Sequence, residues 1–548
     1  MNGIFRPIIF VTGGAIIALE LLASRIMTPY FGVSLYIWTG ILSITLIALA
    51  LGYYGGGLLA RHVVRRRLAG DELVSLFLVM PALASLALAF ACLVYPWAFY
   101  AFAAVQLVVG SFAACLLLLF VPLITTSAMN PLLVAIENAA PVAGSAREAV
   151  GDAGAGRVLF VSTAGSVAGV LVTAFALIPH LSNYSSTLLI GAVLGAISAG
   201  APFLLHQATR HRRLVSAVGG AGLAACLGLL AAADHWLGVA GTIVRNDQVW
   251  RIERTYSSLF SAVKVLHAAP VGAPERFTRY FYQDGIVQNR VDDKGVSQTL
   301  FTYALEAIAM GYRPSAKSAL MLGLGAGIVP MRLAERGVAV EIVEINPASW
   351  LAAKTHFGFK PELFSNHLDD ARSFVRGCDR RPIDQRHDIV LVDLFQGDGT
   401  PEYLITRGFF ADLKRCLKPG GIAVFNTFAD LGELRAYAHL LATLKAEYAT
   451  VMLFRGDAPA GSQINSFLLA TNGPTGRVTS FNVPNLPSHL EADMNWALGR
   501  PRLIDHSDLA GGRIVTDAAN FLPAENARIY MAYRRSALRA FPRPFLVN

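Results

Sequence analysis

The chain has 548 residues, of which 54% are hydrophobic and only 15% charged, and its mean hydropathy is +0.49. Soluble globular domains carry about 25% charged residues, so this balance excludes a wholly soluble protein, and the length leaves room for more than one domain. The net charge of +9 comes without a basic stripe interleaved with aromatics, which argues against nucleic acid as a partner and for arginine in the cytoplasmic loops of a membrane protein.

Apolar runs near 8–27, 35–60, 73–94, 98–121, 155–178, 184–205 and 214–233 each approach or exceed the ~20 residues that cross roughly 30 Å of hydrocarbon. They predict a membrane α-helical domain of about seven transmembrane helices over residues 1–240, placed in the cell (inner) membrane with the lipid bilayer as partner. No small-residue cleavage site follows the first run, so it reads as a retained span and not a signal peptide. Arg61, Arg65, Arg66 and Arg67 follow the second span, Arg147 and Arg157 the fourth, and Arg210, Arg212 and Arg213 the sixth. These even loops, and the N-terminus with them, are therefore assigned to the cytoplasm. Seven crossings then carry the rest of the chain to the opposite face, and its sidedness stays open. The stretch Trp236–Val244 is too short for an eighth crossing.

Glu20 and Arg25 lie in or at the end of the first span. About 140° apart on a helix, they do not pair with each other. Each is expected to meet a polar group on a neighbouring helix, or to line a polar pocket to which the segment Thr125–Pro131, read as a polar break, contributes. Cys92, Cys115 and Cys226 sit in apolar runs, while Cys378 and Cys416 have no partner at metal spacing. Neither a disulfide framework nor a metal site is expected, and the histidines show no ligand spacing.

From about residue 250 short β-type runs alternate with helical ones, which predicts an α/β domain over 250–548. The strand Ser318–Leu322 runs into Gly323-Leu324-Gly325-Ala326-Gly327 and a helix through Arg336. Such a turn lets backbone approach a ligand at a helix N-terminus. The dinucleotide fingerprint wants glycine at 328, which is isoleucine, so NAD is disfavoured. The next strand, Val338–Val343, ends in Glu344, placed to accept hydrogen bonds from ribose hydroxyls. Asp369 and Asp370 follow a further helical stretch, the strand His387–Val392 ends in Asp393, and Leu417-Lys418-Pro419-Gly420-Gly421 turns into the strand Ile422–Phe425. Acids at the carboxyl ends of successive parallel strands converge on the crevice where open α/β sheets bind ligands.

On these residues the chain resembles the spermidine synthase family, in particular members fused to an N-terminal helical domain. Ala18-Leu19-Glu20-Leu21-Leu22-Ala23-Ser24-Arg25 looks like the opening of the fused members, and Tyr256 with the strand after it looks like the family's first hairpin. Gln283-Asp284-Gly285-Ile286-Val287-Gln288 is similar to its Leu-Asp-Gly-x-x-Gln motif, and Asp370-Ala371-Arg372-Ser373-Phe374 to its Asp-Gly-x-x-Phe motif. Asp393 matches the first acid of Asp-Ser-Ser-Asp-Pro, and Glu402 the glutamate that follows. The resemblance implies a Rossmann-like class I methyltransferase/spermidine synthase fold preceded by a small β-hairpin region. It also implies a donor, decarboxylated S-adenosylmethionine, and a small-molecule amine as acceptor. Gly323, Gly325, Gly327, Glu344, Asp370 and Gln288 would hold the donor, with Glu344 on the ribose and Asp370 on the adenine. Asp284, Asp398 and Glu402 would contact the acceptor, and Asp393 would be the catalytic base. A homo-oligomer stays open.

The departures bear on the reaction. Where the family's loop has an aspartate for the aminopropyl ammonium, this chain has Ala326; the second acid of Asp-x-x-Asp is Gln396, with Asp398 close by. The Tyr-His-Glu or Tyr-Gln-Glu element is reduced to Ser297-Gln298-Thr299, and a pocket tyrosine corresponds to Ala458. Three functions therefore stand: an aminopropyltransferase, a methyltransferase using S-adenosylmethionine on the same scaffold, and a transporter or sensor that binds a nucleoside without turnover.

Overall fold

The computed structural model describes residues 3–33, 35–66, 70–139, 147–205, 211–395, 399–430, 434–456, 463–476, 478 and 480–548. The chain forms two compact units. One comprises Met1–Phe31, Leu35–Gly241 and Leu538–Asn548, the other Gly32–Ser34 and Thr242–Ala537.

Among the described residues of the first unit, seven helices are long and apolar enough to cross a membrane: Phe5–Phe31, Ile37–Arg65, Asp71–Val105, Leu107–Asn138, Gly154–His180, Asn183–Leu204 and Arg212–Ala231. Their number matches the apolar runs, but two boundaries differ. The sequence places a break between 94 and 98, whereas a continuous helix with Pro96 inside it runs through that gap. The chain interrupts instead at Gln106, whose extended backbone (φ −160°, ψ 121°) and side-chain oxygen, accepting from Val109 N, cap a new helix. Thr125–Pro131 is likewise helical and not a polar break. The Thr125 and Thr126 hydroxyls donate back to the Val121 and Pro122 carbonyls at 3.0 and 2.7 Å, which satisfies them without a pocket. Arg157 sits within a helix and not in a loop. Arg25 Nε donates to Asn183 Oδ1 at 3.4 Å, so its polar partner is indeed on another helix.

The second unit contains two sheets. Strands β1 (Ile243–Arg245), β2 (Gln248–Ser257), β3 (Ala262–Pro270), β4 (Thr278–Gln283) and β5 (Ile286–Asp292) form an antiparallel meander, a fuller layer than the single hairpin the sequence suggests. Strands β6 (Ser318–Leu322), β7 (Ala339–Glu344), β8 (Ser365–Leu368), β9 (His387–Val392), β10 (Leu417–Asp430), β11 (Thr450–Phe454), β12 (Gln463–Thr471) and β13 (Arg502–Leu503) form a mixed sheet in the order β13-β11-β12-β10-β9-β6-β7-β8. β8, β7, β6, β9 and β10 are mutually parallel, and β12, β11 and β13 continue the sheet antiparallel.

The central strands are apolar on both faces because helices cover both. Met321, Ile342, Leu391 and Val424 pack on one side with the helices Leu300–Tyr312 and Ile328–Glu335. Leu320, Leu322, Val343, Val390 and Phe425 pack on the other with Ala371–Arg376, Arg407–Arg415 and Leu434–Lys445. This is the period-2 division of a sheet buried on both sides. In the first layer Glu306 is nearly buried and ion-paired to Arg332 and to Arg336 (2.8 Å), which ties the helix behind the glycine turn to its neighbour. In the second layer Cys378 and Cys416 form a disulfide across a sequence separation of 38. The expectation of no disulfide fails because their spacing says nothing of the packing between the helices Ala371–Arg376 and Arg407–Arg415, which brings both thiols together at the ends of those helices.

Candidate functional site

The carboxyl ends of the parallel strands set out a row of groups along one edge of the sheet. Backbone hydrogen bonds continue each ladder one residue past the strand: Asp369 N donates to Glu344 O (3.2 Å), Gly323 N to Val343 O (2.9 Å) and Asp393 N to Leu322 O (2.9 Å). The order along the edge is thus Asp369 and Asp370, Glu344, the glycine turn, Asp393 and then Asn426 of β10. All of them line one cavity of about 380 Å³.

The glycine turn is shaped by two steric demands. Gly323 has φ +91°, and a Cβ there would collide with the Asp393 carbonyl oxygen, so only glycine lets β6 and β9 approach. Gly327 caps the following helix at φ +77° against the Phe359 ring. It does not line the cavity, so its expected role as a cofactor ligand gives way to a packing role. Gly325 does line it, and a Cβ there would meet nothing within 4 Å. That open space beside backbone is a cradle.

Glu344 braces this turn from β7. Its carboxylate accepts from Leu324 N and from Asn346 N, both at 2.8 Å. Burial pushes its pKa up, against the pull of these backbone amides. Asn346 in turn donates to Ser261 Oγ (2.6 Å) and accepts from Ser258 Oγ (2.7 Å), fastening the β2–β3 turn to the cavity. Asp370 caps the helix Ala371–Arg376 through Ser373 N (2.9 Å) and accepts from Tyr403 Oη (3.0 Å). Burial first, then the Asp370 carboxylate, raise the pKa of that phenol. Gln288 occupies a register shift in which Phe281 pairs with Asn289 but Tyr282 with Val287. It is the extra residue of a β-bulge, a device that re-aims a side chain, and it lines the cavity.

Asp393 lies at the middle of the row. Burial raises its pKa to about 6; the Asn426 amide, donating at 2.8 Å, lowers it, and the nearby Glu344 carboxylate raises it further. A carboxyl tuned towards neutrality is suited to take up and release a proton near pH 7.

Of the three expected acceptor contacts, the two described ones are not among these groups. Asp284 sits in the two-residue β4–β5 turn at φ 47°, followed by Gly285 at φ 90°. Its carboxylate accepts from Ala262 N at 3.0 Å and its carbonyl from buried Arg534. It is a turn residue and does not line the cavity. Glu402 is also absent from the wall, although its neighbours Pro401, Tyr403 and Leu404 line it. Asp398 lies outside the described residues. Sequence reasoning missed Asn346, Tyr403, Asn426, Phe428, Asn465 and Tyr533, all on the cavity wall. Single amides and aromatics inside strands and helices carry no spacing signature; only Tyr403, next to Glu402 in a matched motif, offered a hint.

The charge on the wall is one-sided. Among the described lining residues are four carboxylates, Glu344, Asp369, Asp370 and Asp393, and no lysine, arginine or histidine. Among all described residues no group of three or more His, Cys, Asp or Glu is arranged to hold a metal ion.

A polyamine aminopropyltransferase of Vibrio vulnificus is 31% identical over 156 residues, which cover 28% of this chain and 50% of that one. A polyamine aminopropyltransferase of Mycobacterium tuberculosis is 27% identical over 398 residues, 67% of this chain and 71% of that one. The chain thus spans about half the length of the first of these relatives. The crystal structure of a probable spermidine synthase from Corynebacterium glutamicum aligns with 48% of this chain and 96% of its own, at 19% identity and a TM-score of 0.38. No protein-family model matches the chain.

Proposed function

We propose that this chain, spermidine synthase-like by the relatives it matches, transfers an aminopropyl group from decarboxylated S-adenosylmethionine to an amine acceptor, and that its seven apolar helices anchor it in a membrane. The observation that carries this reading is the one-sided wall: four carboxylates and no basic side chain among the described lining residues. Decarboxylated S-adenosylmethionine is cationic at its sulfonium and its ammonium and has no carboxylate, so an acidic wall suits it. S-adenosylmethionine itself would bring a carboxylate to a wall without a cation. The loss of an acid at Ala326 is the observation on the side of methyl transfer, and the rival reading stands or falls on donor preference.

The residues present fit the donor. Backbone at Gly323 and Gly325 would cradle its sulfonium end, Glu344 would hold the ribose, Asp370 the adenine, and Gln288 the nucleoside or aminopropyl portion. When bound, the donor supplies an electrophilic carbon and a neutral thioether leaving group. Asp393 then accepts the proton that the acceptor amine loses as its nitrogen bonds to that carbon and the carbon–sulfur bond breaks, and later releases it to solvent. The leaving thioether needs no acid, so most of the rate enhancement comes from holding amine and carbon in line.

Incubating the purified full chain with decarboxylated S-adenosylmethionine and a panel of mono-, di- and polyamines tests the reading. Release of methylthioadenosine that depends on both amine and Asp393 is expected. Methylated product from S-adenosylmethionine, with no methylthioadenosine from the decarboxylated donor, would overturn it.

A further inference from the structure

The hydrogen bond that holds Asp393 comes from an amide whose own orientation is ambiguous. Asn426 Nδ2 donates to Asp393 Oδ1 at 2.8 Å from a side chain only 4% exposed. Turned by 180°, the same amide would present a carbonyl oxygen to the carboxylate, and a donor would become a repulsive acceptor. A second amide decides between the two. Asn465 Nδ2 donates to Asn426 Oδ1 at 3.0 Å, so that oxygen is held away from Asp393 and the N–H₂ group must face it.

The strand register explains why these side chains meet. β10 and β12 are antiparallel, with Asn426 opposite Phe467 and Phe428 opposite Asn465. Asn426 and Asn465 are therefore diagonal neighbours on one face of the sheet, a spacing at which side chains reach each other. Both line the cavity at the end remote from Glu344 and Asp370.

We propose that Asn465 is a positioning residue for the transfer step: by donating to Asn426 it locks that amide with its N–H₂ towards Asp393, and so fixes the orientation and ionisation of the carboxylate that receives the acceptor's proton. The proposal rests on the role given to Asp393 above. Glu344 on β7 is the titratable group that acts on Asp393, and the others lining the same cavity are Asp369 and Asp370 after β8, Tyr403, and Tyr533 from the last long helix. None of them is basic, so among the described lining residues no cation substitutes for the relay in stabilising the ionised form.

The test compares Asn465→Leu, Asn465→Asp and Asn465→Gln in the full chain. In Asn465→Leu nothing holds the Asn426 amide in place, and loss of its hydrogen bond to the Asp393 carboxylate corresponds to roughly one pKa unit. Asn465→Leu should therefore move the acid limb of kcat/KM upward by about one pH unit, a loss of about fivefold at pH 6 and only about twofold at pH 7, with donor KM unchanged. Asn465→Asp can only accept, so it should turn the Asn426 amide around and lose more. Asn465→Gln, which restores a donor, should recover most of the loss. An unshifted pH profile in Asn465→Leu, or Asn465→Asp no worse than Asn465→Leu, would overturn the proposal. Infrared difference titration of the Asp393 carboxyl band, assigned against Asp393→Asn, reads the same shift without turnover. If the wild-type chain transfers no aminopropyl group, the enzymatic reading fails while the relay is still judged by that band.

Discussion

Replacing Asp393 with asparagine should stabilise the protein while abolishing transfer, and the stabilisation should depend on pH. The carboxyl's pKa is about 6 in the fold against an ordinary 3.8. A carboxyl whose folded pKa is raised binds its proton more tightly when folded, so its ionisation opposes folding. The penalty is full above about pH 6 and fades as pH falls through 6 towards 3.8. The gap between those two values corresponds to at most about 3 kcal/mol at pH 8, roughly half that at pH 5 and little by pH 4. Asparagine mimics the neutral acid and can still accept from Asn426, so Asp393→Asn recovers this energy. For a unit of this size that is a rise in Tm of about 6 °C at pH 8, shrinking steadily towards pH 4. Thermal unfolding of the detergent-solubilised full chain at the two pH values measures it, alongside a loss of turnover of at least about 100-fold. A pH-independent difference in Tm, or a variant less stable than wild type at pH 8, would refute the reasoning about burial at the row's centre.

Other perturbations follow from the same geometry. Glu344→Gln puts an N–H₂ group against the Leu324 and Asn346 amides it now accepts from, and should weaken methylthioadenosine binding by about tenfold or more, read by calorimetry. Glu306→Leu leaves Arg332 and Arg336 without their common carboxylate; losing one partner of a buried ion group costs about 3–5 kcal/mol, seen as a lower unfolding midpoint, and a change below about 1 kcal/mol would contradict it. Paired Cys378→Ala and Cys416→Ala opens a loop of sequence separation 38, for which chain entropy gives a loss of about 4 kcal/mol; an unchanged Tm would show that the pair is reduced in the native protein. A disulfide persists in oxidising compartments, and an odd number of crossings from arginine-rich even loops leads to the outer face. Protease applied to spheroplasts should then cleave the second unit, and full protection would place it inside.

The parallel core was legible because β6 and β9 are buried on both faces and carry the apolar runs 319–322 and 389–392, each followed by the residue that enters the site. Glu344 and Asp393 stand at strand tips, where the apolar pattern stops, whereas Asp370 follows a polar, largely exposed strand and was picked out by its acidic pair and its motif. Asp284 was expected at the acceptor because an Asp-Gly pair at a hairpin turn and a ligand carboxylate look alike in sequence; its positive φ and its bond to Ala262 N place it in the turn. The Asn426–Asn465 relay depends on which residues stand diagonally across β10 and β12, and the disulfide on how two short helices pack. Both are long-range facts that no local pattern encodes. In the helical unit, the break expected between 94 and 98 is spanned by a helix that carries Pro96, and an extended glutamine, Gln106, does the breaking.

Donor preference puts the account to its most direct trial. Calorimetric titration of the full chain with decarboxylated S-adenosylmethionine and with S-adenosylmethionine compares two ligands that differ only in a carboxylate. The acidic wall, with no basic side chain among its described lining residues, predicts tighter binding of the decarboxylated compound by at least about tenfold, with both affinities reduced in Glu344→Gln. Equal affinities, or a preference for the carboxylated compound, would contradict it.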